Sequence, residues 1–272
     1  MLKASLAVTA ALLVSLIVAS GALAGTPEVS SNWSGYVAVA PDGAAAAFTD
    51  VTGTWVEPAA KCSTGRSDAA AFWVGLGGND TDSPALEQLG TSLSCDGNSG
   101  TPTYAAWWEI VPAASVPIPL KIRPGDRVNA AVLVNGQTVT MSLKNLTRHT
   151  RFSKTMTLTQ PLDVSSAEWI AEAPSDCSPS GRCRAVPLTQ FGNVTFTNAA
   201  ATGNAHAGTI SDPLAAASPV WIPTAIELIS DGNTGRFFGG GDPLGSGVGA
   251  VPSDLSADGR SFSVSWQPNV SP

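Results

Sequence analysis

The stretch "DRVNAAVLVNGQTVTMSLKNLT", residues 126–147, decides the fold class. Apolar side chains recur at every second position, at Val128, Ala130, Val132 and Val134 and again at Val139, Met141 and Leu143. A period of two puts them on one face of a strand, whereas a helix needs apolar positions three and four apart. Asn135-Gly136 suits a type I′ turn, so residues 126–134 and 137–146 are expected to pair as a hairpin.

The same period extends outward from this hairpin. "SKTMTLT" (153–159) adds a strand, and 103–111, 188–197, 221–229 and 261–267 read similarly, the last alternating Phe262, Val264 and Trp266. No long helical stripe interrupts them, and 27 glycines and 20 prolines break the chain every few residues. Short strands between frequent turns predict an all-β protein, a β-sandwich or jelly roll of two antiparallel sheets. The Gly-rich segment 235–250 reads as a long surface loop, and no break in composition divides the chain into two domains.

The first 24 residues address the compartment. Lys3, the apolar run "SLAVTAALLVSLIVAS" and "ALA" at 22–24 form the pattern of a removable signal peptide, with an uncleaved anchor as the alternative. The expectation is a secreted, extracellular protein whose single domain spans 25–272. Without Lys3 the 14 basic residues become 13 against 21 acidic ones, a formal charge of −8. That balance argues against nucleic acid or an anionic membrane as partner. Four cysteines in an exported chain imply two disulfides. Cys177 and Cys183 flank the turn-like "SPSGR" and pair locally, which leaves Cys62 for Cys95. Asn32, Asn79, Asn145, Asn193 and Asn269 stand in Asn-x-Ser/Thr patterns, which matter only in a host that glycosylates exported proteins.

Several chemistries are disfavoured. Only His149 and His206 are present, and no Gly-x-Ser-x-Gly elbow accompanies them, which argues against a Ser-His-Asp hydrolase. Neither a His-Glu-x-x-His zinc motif nor a glycine-rich phosphate loop occurs. What remains is carboxylates, amides and water, with no metal and no cofactor implied. Three alternating strands project such groups: "AAFWVGLGG" (70–78) carries Trp73, "SPALEQLGT" (83–91) carries Gln88, and "YAAWWEI" (104–110) carries Trp107 with Glu109. A fourth, "SSAEWIAEAPSDC" (165–177), puts Glu168, Ile170 and Glu172 on one face. Taken singly, each tryptophan is more often core than platform, and each glutamate more often faces water.

Together the motifs "SNWSGY" (31–36), "FWVGLGG" (72–78), "ALEQLG" (85–90), "YAAWWE" (104–109) and "AEWIAE" (167–172) resemble the glutamic peptidases, or eqolisins, peptidase family G1. The resemblance runs from about Ser31 to Trp266. It implies a β-sandwich with one sheet curved around a substrate cleft, and endopeptidase activity at acidic pH from a Gln–Glu dyad. By the same resemblance Gln88 and Glu172 are the catalytic pair, while Trp33, Trp73, Trp107 and Glu109 belong to the substrate cleft. A small disulfide loop after the catalytic glutamate is also implied, at Cys177 and Cys183. Two departures stand out, since Gly77 and Ser92 occupy positions where relatives often carry acids.

A carboxylate near its ordinary pKa of about 4.3 can take a proton from water and later return it to the leaving amine. The amide of Gln88 is a donor at every pH, fit to hold the water and the developing oxyanion. This reading makes polypeptides the substrate and a monomer the default state. Two rivals are a sandwich-type carbohydrate-active enzyme using Glu109 and Glu172, and a lectin-like binding module without catalysis.

Overall fold

In the computed structural model, residues 27–41, 45, 47–79, 83, 85–177, 183–211, 220–230 and 247–270 are described, and among them the chain forms eighteen strands and no helix. The expected leader at 1–24 and most of the Gly-rich loop lie outside these residues. A front sheet runs in the order β7 (Val116–Ile118), β6 (Thr101–Ile110), β5 (Glu87–Asp96), β4 (Asp68–Leu76), β11 (Ser166–Glu172), β2 (Trp33–Val39), β16 (Ile222–Ser230), β17 (Gly247–Pro252) and β18 (Phe262–Val270). The back sheet runs β10 (Thr150–Thr157), β9 (Thr138–Asn145), β8 (Arg127–Asn135) and β3 (Phe48–Val56).

One strand serves both layers. In β14 (Asn193–Gly203), residues 193–196 pair with β18 while 197–203 pair with β3, and the register shifts between Thr197 and Ala200. Asn198 sits there at φ 51°, the kind of irregularity that bends a strand from one sheet into another. The expected pair of antiparallel sheets is therefore one continuous ladder folded over itself. Among the described residues its one parallel strand pair joins β1 (Glu28–Ser30) to β16, and an isolated parallel bridge links Ala69 to Leu188. A hairpin of β12 (Ser175–Cys177) and β13 (Cys183–Ala185) stands apart, and β15 (His206–Thr209) folds back on β14.

The hairpin read from 126–147 is present with its alternation intact: Val128, Ala130, Val132, Val139, Met141 and Leu143 are all buried. Its turn differs from expectation. Asn135 pairs with Thr138, so the two-residue loop is Gly136-Gln137, and of these only Gly136 has a positive φ, 59°. That is the pattern of a type II′ turn, with glycine first, not type I′. The strand expected at 188–197 also shifts, since the chain is extended from Asn193 and continues to Gly203.

Between the layers lies one large apolar cluster drawn from both sheets, including Phe72, Val74, Leu89, Trp169, Trp55, Met141 and Phe196. Two tryptophans satisfy their indole N–H groups across it. Trp169 Nε1 donates to Thr52 O at 2.8 Å, and Trp55 Nε1 donates to Thr91 Oγ1 at 3.0 Å. Replacing either ring with alanine should cost about 3–5 kcal/mol. The expected Cys62–Cys95 disulfide is formed, with Cα atoms 5.4 Å apart. Cys177 and Cys183 face each other in the β12–β13 register, but their side chains lie outside the described residues.

The core also holds carboxyls. Glu57 is buried; its Oε2 accepts from Thr91 Oγ1 at 2.5 Å while Oε1 has no partner. Glu87 and Glu168 are fully buried with neither oxygen paired. Burial pushes Glu57 and Glu87 up to about 8, and lifts Glu168 well above the ordinary range. These groups are neutral in the folded protein and ionise readily once it unfolds. Their contribution to stability is fully present below pH ~4.3, the unfolded value, and is lost as pH rises toward about 8. Urea midpoints should accordingly fall steadily from pH 4 to pH 8, and Glu57→Gln should flatten that slope. A midpoint that rises with pH would contradict neutral burial.

Candidate active site

Strand register explains what gathers on the outer face of the front sheet. Trp33, Glu172, Ala71, Ser92 and Ala105 are successive cross-strand partners on β2, β11, β4, β5 and β6. The next row on the same face is Gly35, Ile170, Trp73, Gly90 and Trp107, and the next is Val37, Glu168, Gly75, Gln88 and Glu109. Because side chains alternate, all three rows point away from the main core. A second apolar cluster covers part of this face, with Trp33, Val37, Trp73, Leu86, Ile170 and Ile226.

A cleft of about 410 Å³ opens beside that cluster, lined among others by Asn32, Trp33, Gln88, Trp107, Glu109 and Glu172. Five of the six residues singled out in the sequence thus share one cavity. The sixth, Trp73, does not line it. Its ring is fully buried beneath, makes an edge contact with Trp33 at 5.1 Å between centroids, and donates Nε1–H to Glu172 Oε2 at 2.7 Å. Trp73 holds the carboxyl from below where the sequence suggested an aromatic surface for substrate.

Glu172 is half-buried at the end of β11, and Asn32 Nδ2 donates to its Oε1 at 3.3 Å. Asn32 is fixed in turn: its Oδ1 accepts from Ser30 Oγ at 3.2 Å, and its carbonyl accepts from the Ala173 N–H at 2.8 Å. Asn32 was named in the sequence for its glycosylation pattern and stood in the motif "SNWSGY" without a role, yet it is 5% exposed and bonded to the carboxyl. Asn145 is buried as well, bonded to Asp126. Burial pushes Glu172 up to about 8, and the charge of Glu109 adds to this, while hydrogen bonds from Trp73, Trp33 and Asn32 pull the other way. The ordinary value expected from sequence is therefore revised, because the group has exchanged water for an apolar wall.

Gln88 Nε2 donates to Glu109 Oε2 at 2.7 Å, across the directly paired positions of β5 and β6. Burial raises Glu109, and the Gln88 bond opposes it. Gln88 and Glu172 both line the cleft, each held by a different neighbour. Glu168, on the same strand face as Glu172, is fully buried and not part of the lining. Among the described residues no cluster of three potential metal ligands occurs.

The two departures noted in the sequence have different structural meanings. Gly77 has φ 81°, and a Cβ there would lie 2.4 Å from the Asp163 carbonyl and 2.6 Å from its Cβ. Asp163 occupies that space, accepting from Gly78 N at 3.0 Å and from Ser83 Oγ. A carboxylate thus stands beside position 77 although residue 77 carries none. Ser92 simply leaves the cleft floor uncharged.

The sequence profile of the Peptidase A4 family matches residues 31–222. Aspergillopepsin-2 of Aspergillus niger is 29% identical over 197 residues, which is 64% of this chain and 65% of that protein, so the chain spans just under two-thirds of that relative's length. Scytalido-glutamic peptidase, solved with a transition state analog inhibitor, superposes with a TM-score of 0.64 at 25% identity, covering 87% of this chain and 98% of that one. Aspergilloglutamic peptidase from Aspergillus niger gives 0.53 at 25% identity, covering 74% and 99%. With the motifs, the doubled sheet and the profile coinciding over most of its length, this chain belongs to the Peptidase A4 family, the glutamic peptidases that its sequence resembles.

Proposed function

We propose that the chain is an exported endopeptidase acting in acid, a single domain of residues 25–272 freed of its leader, with Glu172 and Gln88 as the catalytic pair. The observation that carries this reading is the shared cleft. A neutral carboxyl, held by Trp73 and Asn32, and an amide oriented by Glu109 line one cavity open to a peptide. The fit of a peptidase relative's inhibitor complex to the same fold agrees with it.

The raised pKa of Glu172 changes the order of proton movements. In acid the group enters protonated, and a carboxylic acid offers a donor and an acceptor together. Its O–H gives a proton to the substrate carbonyl oxygen while its other oxygen takes one from the attacking water. A neutral tetrahedral diol forms, and Glu172 is again protonated. In the second step Glu172 protonates the amide nitrogen and recovers a proton from one diol hydroxyl as the C–N bond breaks. Acid and amine leave, and no net charge develops on the buried carboxyl. Gln88 holds the carbonyl oxygen through its second amide N–H, a donor whose loss typically costs 100- to 1000-fold in rate.

The purified protein should digest denatured casein between pH 2 and 6, insensitive to pepstatin, and leave a polysaccharide panel intact. Glu172→Gln should abolish turnover and Gln88→Ala should lower kcat about 100- to 1000-fold, both with unchanged circular dichroism. Casein cleavage by a folded Glu172→Gln protein would overturn the assignment.

Trp73→Phe and Asn32→Ala each remove a donor that favours the ionised carboxyl, so each should raise the pKa of Glu172. Carbon-13 NMR of labelled glutamate reads that shift directly. Asn32→Ala should also lower kcat/KM about 10- to 100-fold through misplacement of the carboxyl.

A further inference from the structure

The outer face of the back sheet, on the layer opposite the cleft, carries a different chemistry. Val128, Val132, Met141 and Leu143 turn into the core, and Phe152 and Met156 pack against it. The alternate positions therefore face outward: Arg127, Asn129, Ala131 and Leu133 on β8, and Thr138, Thr140, Ser142 and Lys144 on β9. On the edge strand β10 the outward set is Arg151, Ser153, Thr155 and Thr157. In register these form a ladder of hydroxyl pairs, Thr138 with Thr157, Thr140 with Thr155 and Ser142 with Ser153. The first two pairs are hydrogen-bonded, at 3.2 and 3.0 Å. The ladder ends where Lys144 stands directly opposite Arg151, about 20 Å from Thr138.

Like charges set directly opposite each other destabilise a sheet. Lys144 and Arg151 are both exposed, and neither makes an ion pair among the described residues. Asn129 pairs with Lys144 on the other side, and exposed Arg127 lies two residues before Asn129. Lys121 and Arg123 are tied to the same end of the sheet. Lys121 O accepts from Asn145 Nδ2 at 3.2 Å, and the Arg123 N–H donates to Asp126 Oδ2 at 2.9 Å. Carboxyls do not offset this charge. Asp126 is buried and held by Arg148, while Asp50, outward on β3, lies two rows away opposite Leu133. A chain with 21 acidic and 14 basic residues thus keeps a row of cations that its own fold leaves unneutralised.

We propose that this ladder and its cation row bind an anionic polysaccharide bearing sulfate esters, leaving the cleft turned away from the polymer. Serine and threonine hydroxyls donate and accept, as sugar hydroxyls do, and Arg127, Lys144 and Arg151 take the sulfates through charged hydrogen bonds. No aromatic side chain stands among the outward positions, where a nucleic acid strand would need one for base stacking. Sulfate esters are far stronger acids than carboxyls and stay ionised in acid, where a sugar carboxylate loses its charge. That choice of anion rests on the acid peptidase reading, while the cation row does not.

The test measures binding of the purified protein to immobilised dextran sulfate at pH 6, with unsulfated dextran and single-stranded DNA for comparison. The chain as a whole is acidic there, so attraction to a polyanion reports local cations. The wild-type protein should bind dextran sulfate, release it as salt rises, and ignore dextran. Lys144→Gln with Arg151→Gln should weaken binding about tenfold or more, the scale of two cations at an anionic surface. The same double variant should show a higher urea midpoint, because the repulsion is gone. Arg260→Glu, an equal change in net charge at an exposed site ahead of β18, should leave binding nearly unchanged. Equal binding of unsulfated dextran overturns the assignment, as does DNA bound as tightly as dextran sulfate. So does a double variant that binds like wild type, or a loss that Arg260→Glu matches. A lower urea midpoint in the double variant would show that the fold needs these cations, and overturns the binding role. Casein cleavage separates the two readings. The double variant should keep the wild-type kcat/KM, and a wild-type protein that binds dextran sulfate without cleaving casein overturns the peptidase reading alone.

Discussion

The strands at the centre of the front sheet, β4 and β11, are covered on both faces. One face packs into the main core, and the other lies under the smaller cluster around Trp33, Trp73 and Ile170. A carboxyl placed on such a strand surrenders its water and must be neutral or partnered. Glu168 is neutral under full cover, and Glu172 meets indole and amide donors at the margin of the cleft. The protonation of Glu172 and the pH response of stability thus share one cause. The apolar cover that readies Glu172 to hold a proton in acid also makes the fold least tolerant of base.

Alternation in the sequence was enough to assign most strands and to decide which residues share a face. Glu168, Ile170 and Glu172 lie together, as do Trp107 and Glu109, because a period of two is a local property. Register is not local. That Glu172 sits beside Ala71, and Gln88 beside Glu109, depends on how strands far apart in sequence are aligned, and no spacing within one strand encodes it. Burial on the outer face was equally hidden. Trp73 looks the same in sequence whether it paves a cleft or lies beneath one, and Glu57 drew no notice at all. Asn32 bore a surface signature and proved internal, since an Asn-x-Ser match says nothing about the chain that folds over it. The motif resemblance, unlike periodicity, carries register implicitly, and five of the six residues it names line one cavity.

Charge follows the same division between layers. Seven of the 14 basic residues fall between Lys121 and Lys154, on the back sheet and its connections. There Arg148 Nε pairs with Asp126 at 2.6 Å, and Thr hydroxyls face each other across β9 and β10. This outer face is ordinarily solvated and keeps its charge in acid. The carboxyls are concentrated elsewhere, and the two that line the cleft, Glu109 and Glu172, are raised by burial. Acid therefore discharges the cleft side of the molecule and leaves the far side cationic.

The sequence distance between the partners of Glu172 has a consequence for when the site comes into being. Its donors come from Asn32 and Trp73, 140 and 99 residues earlier in the chain. The strand after Asn32, β2, is held between β11 and β16, and β16 ends only at Ser230. A growing chain cannot complete the cradle until Glu172 itself has been made, 140 residues after Asn32. Every shorter nascent fragment lacks the complete cradle of Glu172. The cradle therefore assembles by the pairing of strands far apart in sequence, after the last of its members has emerged.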